Sequence, residues 1–130
     1  MQIVTDTSVL LAVILGEPER DRLVVATAGH ELVGPASIPW EMGNAFSAML
    51  KRRRISLATA LAGADTMGRI PVRLLHVNVR AALIVAADHG LYAYDAYFVE
   101  CALMLGAPLI TLDRRLQEAA QRAGAQIVEV

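Results

Sequence analysis

Short apolar runs of strand length alternate along this chain with longer stretches whose apolar residues recur at helical spacing. Ile3 and Val4 read as a short buried strand that stops at Asp6, and Val9 to Leu15 continue as an apolar helix. Gly16-Glu17-Pro18-Glu19 breaks and restarts the chain, since proline suits a first helical turn and acids there favour the helix dipole. That helix is expected to run to about Thr27 and stop at Gly29. Glu31 to Gly34 forms a second strand candidate, ended by Pro35. From Ser37 a helix opens whose buried face is Ile38, Met42, Ala45, Phe46, Met49 and Leu50, and it ends in Lys51-Arg52-Arg53-Arg54. Ser56 caps a further helix through about Met67.

Val72 to Val77 is a third strand candidate, weakened by Arg73. Asn78 caps a helix that stops at His89-Gly90. Tyr92 to Leu105 is apolar nearly all round, which predicts a buried helix. Gly106 ends it, and Pro108 to Asp113 is a fourth strand finishing in an acid. Leu116 to Ala123 is a helix, Gly124 stops it, and Gln126 to Val130 is a last strand. Strands alternating with helices predict an α/β fold with a mostly parallel sheet between two helical layers.

Composition narrows the class. A chain of 130 residues, 55% of them hydrophobic, fits one domain over residues 1–130 with a real core. No uncharged apolar run approaches the ~20 residues of a membrane span, and the N-terminus lacks the basic region of a signal peptide. The single Cys101 allows no internal disulfide and suits a reducing cytoplasm. A net charge of −1 gives no overall field for nucleic acid, so any such contact must be local. Apart from Lys51 every cation besides histidine is arginine, whose planar fork suits phosphate. Arginine-favouring codon usage explains the same bias.

Thirteen acids are present, and nine have bland readings as solvated or helix-start residues. Asp6, Glu41, Asp95 and Asp113 do not. Asp6 and Asp113 each end an apolar strand, so parallel strands bring both to one sheet edge. Glu41 and Asp95 lie in the first turns of helices that follow strands and loops, and such helix starts face the same edge. Ligands bind at that edge in open α/β sheets. Each acid taken alone reads equally well as a cap; four converging do not. Convergent carboxylates repel, and a divalent cation resolves the conflict. Oxygen ligands with no His or Cys nearby point to Mg²⁺ or Mn²⁺ rather than zinc. The natural chemistry is metal-assisted phosphodiester hydrolysis.

Thr7, Ser8 and Thr111 are placed to hydrogen-bond these carboxylates or a metal-bound water, or are ordinary strand-end hydroxyls. Arg114 and Arg115, directly after Asp113, are better placed to touch a substrate phosphate than Lys51 and Arg52. The run containing those two reads first as a solvated helix C-terminus and second as a contact for single-stranded RNA. Trp40 reads first as packing under its helix start and second as a surface for stacking a base.

Together, Asp-Thr-Ser-Val-Leu-Leu-Ala at residues 6–12, Trp-Glu-Met-Gly-Asn-Ala around Glu41, His-Gly-Leu-Tyr-Ala-Tyr-Asp-Ala at 89–96 and Pro-Leu-Ile-Thr-Leu-Asp-Arg-Arg-Leu at 108–116 resemble PIN-domain ribonucleases of the VapC toxin type. The resemblance covers essentially the whole chain, in order. It implies a three-layer α/β/α fold with a five-stranded, mostly parallel sheet. It also implies Mg²⁺- or Mn²⁺-dependent cleavage of RNA, often tRNA or ribosomal RNA, by Asp6, Glu41, Asp95 and Asp113. A homodimer and an inhibiting antitoxin protein, as in type II toxin–antitoxin pairs, are implied as well. Non-toxin nucleases share these motifs, so a role in RNA processing is the neighbouring reading.

From other classes, a non-catalytic RNA- or partner-binding domain stands against the presence of all four acids. A signalling receiver wants an acidic pair after the first strand, where Thr7 follows Asp6. A haloacid-type phosphatase wants Asp-x-Asp, where Ser8 takes the third place. No phosphate-loop or Gly-x-Gly-x-x-Gly motif is present.

Overall fold

The computed structural model describes residues Met1–Val130. The chain runs β1 (Gln2–Thr5), α1 (Thr7–Ile14), α2 (Arg20–Thr27), β2 (Glu31–Pro35), α3 (Ile38–Lys51), α4 (Leu57–Arg69) and β3 (Val72–Leu75). It continues with α5 (Val79–His89), α6 (Ala93–Leu105), β4 (Leu109–Ile110) and α7 (Arg114–Arg122). All strand pairs are parallel, in the order β3-β2-β1-β4.

Successive strand residues point to opposite faces, and the core divides accordingly. Val4, Val33 and Leu109 join Ile38, Met42, Phe46, Phe98 and Leu116 in the larger cluster. Ile3 and Ile110 join Val9, Ala12 and Leu23 in the smaller one. The result is an α/β/α sandwich. Ser56 and Asn78 cap α4 and α5 as their positions suggest, each accepting a backbone N–H three residues on. Gly90 and Gly106 end α5 and α6 with φ of 64° and 60°, a conformation glycine adopts without Cβ strain. No helix is long and apolar enough to cross a membrane.

Two expectations are corrected. The sheet has four strands, not five: residues 126–128 meet β4 only through one parallel bridge, Leu109 with Ile127. β4 is two residues long, because Thr111 leaves the ladder to serve the sheet edge, and so offers its outer neighbour little to pair with. The helix at 93–105 is also not buried all round. Phe98, Val99 and Cys101 are fully buried, whereas Tyr94 and Met104 are about half exposed.

Two glycines set how α3 lies on the sheet. Gly34 in β2 is where Ile38 seats its side chain; a Cβ there would collide with it. Gly63 in α4 faces the ring of Phe46, and an added Cβ would stand 2.7 Å from its Cζ. Close packing on both sides thus fixes the start of α3, and Glu41 with it.

Candidate active site

Parallel pairing of β1 with β4 puts Thr5 opposite Ile110, so the next residues, Asp6 and Thr111, leave the sheet side by side. The Asp6 N–H makes a last ladder bond to the Ile110 carbonyl, 3.1 Å. Asp6 precedes α1, yet its carboxylate makes no cap bond to that helix. Hydroxyls hold it instead: Thr111 Oγ1 donates to Asp6 Oδ2 at 2.5 Å and Ser8 Oγ donates to the same oxygen at 2.7 Å. The returning loop is tied into this knot, with the Leu112 N–H on Ser8 Oγ (3.2 Å) and the Asp113 N–H on Thr111 Oγ1 (3.0 Å). Burial raises the Asp6 pKa; the hydroxyl bonds oppose the rise and the charge of Asp113 adds to it.

Glu41 enters from the first turn of α3. Ser37 Oγ donates to its Oε2 at 2.7 Å, and Thr7 Oγ1 reaches its Oε1 at 3.4 Å. Partial burial is the main force pushing Glu41 up to about 7, with the charges of Asp6 and Asp95 acting in the same direction. Asp95 lies half-buried in the first turn of α6. Its pKa is raised first by burial, then by Asp6 and Asp113, against a lowering by Arg115. Asp113 is exposed and doubles as the cap of α7, accepting the Leu116 N–H at 3.2 Å.

The four acids are therefore linked pairwise by their charges. No three of them meet closely enough in this geometry to ligate one ion together. Their donor chemistry still fits a hard divalent cation. All are carboxylates, and the charges acting on Asp6, Glu41 and Asp95 come from one another, Asp113 and Arg115, with no histidine involved.

The remaining sites named from sequence separate by position. Thr7, Ser8 and Thr111 all bond the acids directly. Arg115 acts on Asp95, whereas Arg114 is turned outward toward Glu118, 3.9 Å away. Lys51 and Arg52 are exposed at the far end of α3, about 15 Å from Glu41 by helical rise. Trp40 does not pack under its helix start; it is 71% exposed. Two contributors escaped the sequence reading. Ser37 bonds Glu41, and its spacing of four residues before that acid was the available signal. Gln117 Nε2 donates to the Thr111 carbonyl at 2.9 Å, a contact nothing in the local pattern announces.

Comparison with known proteins agrees with this architecture. The family model for the PIN domain matches residues 3–122. Three solved structures superpose over nearly the whole chain. PAE2754 from Pyrobaculum aerophilum does so with a TM-score of 0.75 and 24% identity, covering 98% of this chain and 84% of that one. VapC20 of Mycobacterium tuberculosis, a sarcin-ricin loop cleaving toxin, gives 0.66 and 17%, covering 98% and 99%. VapBC2 from Rickettsia felis, bound to a DNA fragment from its promoter, gives 0.65 and 13%, covering 99% and 98%. No curated protein sequence matches the chain.

Proposed function

The chain belongs to the PIN domain family, and on that premise we propose that it is a metal-dependent endoribonuclease acting as the toxin of a toxin–antitoxin pair. The observation that carries the reading is the convergence of Asp6, Glu41, Asp95 and Asp113 at the carboxyl edge of the sheet, with each of the two more deeply set acids held by hydroxyls. Mg²⁺ or Mn²⁺ bound by these four carboxylates would supply an activated water and neutralise charge on a phosphoryl oxygen. The protein's own part is positional. Ser8 and Thr111 fix Asp6, Ser37 and Thr7 fix Glu41, and Arg115 offers a fork to a phosphate beside Asp95. The substrate we propose is single-stranded or looped RNA, as in tRNA or ribosomal RNA. The structural likeness to a ribosomal-loop-cleaving toxin and to a VapBC complex supports that choice and an antitoxin partner. A homodimer in the cytoplasm completes the proposal.

Purified protein should cleave such RNA with Mg²⁺ or Mn²⁺, lose activity in EDTA and recover it when metal is restored. Full activity in chelator removes the metal from the reading. Induced expression should slow growth, and Asp6→Asn should relieve this while the protein still accumulates. An Asn variant as toxic as the parent assigns the toxicity elsewhere.

A further inference from the structure

Trp40 is out of place for a core residue. Its indole is 71% exposed, directly before Glu41 in the first turn of α3, although a tryptophan's large apolar area normally favours burial. Beside it opens a cleft of about 200 Å³ at the carboxyl ends of β2 and β3, lined among others by Ser37, Trp40, Leu75, His76, Val79 and Tyr97. No carboxylate, lysine or arginine lines it. The cleft adjoins the acidic edge through Ser37, which forms part of its wall and bonds Glu41. Tyr94 braces the Tyr97 ring edge-on, centroids 5.9 Å apart. The volume is below the ~300–1,000 Å³ of typical small-molecule pockets, which suits one flat ring system rather than a whole cofactor.

An RNA backbone held at the acids by its phosphate carries its neutral, flat bases one nucleotide away. We infer that Trp40 and this cleft form a nucleobase site, in which an unpaired base flanking the cleaved phosphodiester stacks on the indole with Ser37 and His76 at its polar edge. The inference rests on the ribonuclease reading for its ligand. It adds a specificity element: the enzyme selects loops whose base can leave its own stack, and duplex RNA fails for want of one.

Trp40 is the only tryptophan, so its emission reports its own contacts. The parent protein, with Ca²⁺ in place of Mg²⁺ so that it binds RNA without cleaving it, is titrated with short oligo(U) and oligo(A), and with an abasic ribose-phosphate oligomer of equal length. The expected result is saturable quenching by both base-bearing oligomers and none by the abasic one. Emission unmoved by the oligonucleotides, or moved equally by the abasic oligomer, overturns the site. In the parent background, Trp40→Ala should raise KM for loop RNA about tenfold, within the range of one lost base stack, and leave kcat within a few-fold. Trp40→Phe should restore most of the affinity, and an unchanged KM in Trp40→Ala overturns the proposal. So does an oligomeric mass that changes in Trp40→Ala while KM does not, since the cleft is then covered by a second copy. Absence of cleavage by the parent itself counts against the ribonuclease reading, and the emission titration still judges the base site separately.

Discussion

On the β1–β4 side of the acidic edge, Asp6 is buried, and one of its oxygens receives hydroxyls from two different elements while the loop behind is laced to the same hydroxyls. On the β2–α3 side, Glu41 and Asp95 are only partly buried and stand on helix starts, and Ser37, which bonds Glu41, lines an open cleft with an exposed tryptophan. The first side has little freedom to move. The second can rotate its side chains and admit a ligand. A site for a charged polymer needs both: a fixed carboxylate that sets where an ion sits, and adjustable ones that close on it.

The contrast can be broken most sharply at the hydroxyls. Thr111→Val keeps the shape but removes the donor to Asp6 and the acceptor for the Asp113 N–H. Cleavage should fall about 10–100-fold, the usual cost of losing a partner that orients a ligand, and stability by ~1–3 kcal/mol for the polar groups left unpaired. Ser37→Ala should cost less on both counts, because partly exposed Glu41 finds water in its place. Equal losses in cleavage rate and urea midpoint would erase the distinction between the two sides.

A smaller effect is expected among the arginines. Arg115→Ala should weaken RNA binding more than Arg114→Ala and reduce the slope of log affinity against log salt by about 1. The charge of Arg115 is felt at Asp95, while Arg114 is turned to Glu118. Affinity measured across a salt series decides it, and identical slopes for the two variants would leave Arg115 without a phosphate.

Partial burial of Glu41, reinforced by the charges of Asp6 and Asp95, also predicts a pH-dependent stability. Folded Glu41 keeps its proton up to about 7, against an ordinary 4.5 when unfolded. Between those values the folded chain binds more protons, so metal-free stability should fall as pH rises through the window and level off above it. Near neutral pH, Asp95→Asn should melt above the parent. Relief of ~0.5–2 kcal/mol is typical of changes at functional sites, set against ~0.3–1 kcal/mol for a lost helix-start charge. Saturating Mg²⁺ should narrow or reverse that order, because it binds the folded parent better. A variant less stable without metal, with both proteins shifted equally by Mg²⁺, makes Asp95 a structural cap.

The division also explains what could be read from the residues alone. Asp6, Thr111 and Asp113 follow apolar strand runs, and parallel pairing converts a strand end in the sequence into a place in space. Glu41 and Asp95 follow from the same geometry one step removed, as helix starts. The fifth strand was lost because its length depends on where Thr111 leaves β4, a tertiary choice invisible in the Gln126–Val130 pattern. Trp40 misled for a related reason. An aromatic residue at a helix start normally packs, and only the open cleft beyond β2 and β3 shows that nothing covers it. Arg114 and Arg115 are equivalent in sequence; one residue of helical rotation separates the one whose charge reaches Asp95 from the one turned to Glu118.

Whether the four carboxylates form one divalent-cation site is tested most directly by calorimetric titration of metal-free protein with Mn²⁺ near pH 6. Repeating the titration in buffers of different ionisation enthalpy counts the protons released, as Glu41 gives up the one it holds below about 7. Saturable binding with proton release is expected in the parent, and a large loss of affinity in Asp6→Asn. Binding that is undiminished in Asp6→Asn, or no binding by the parent at all, would contradict such a site.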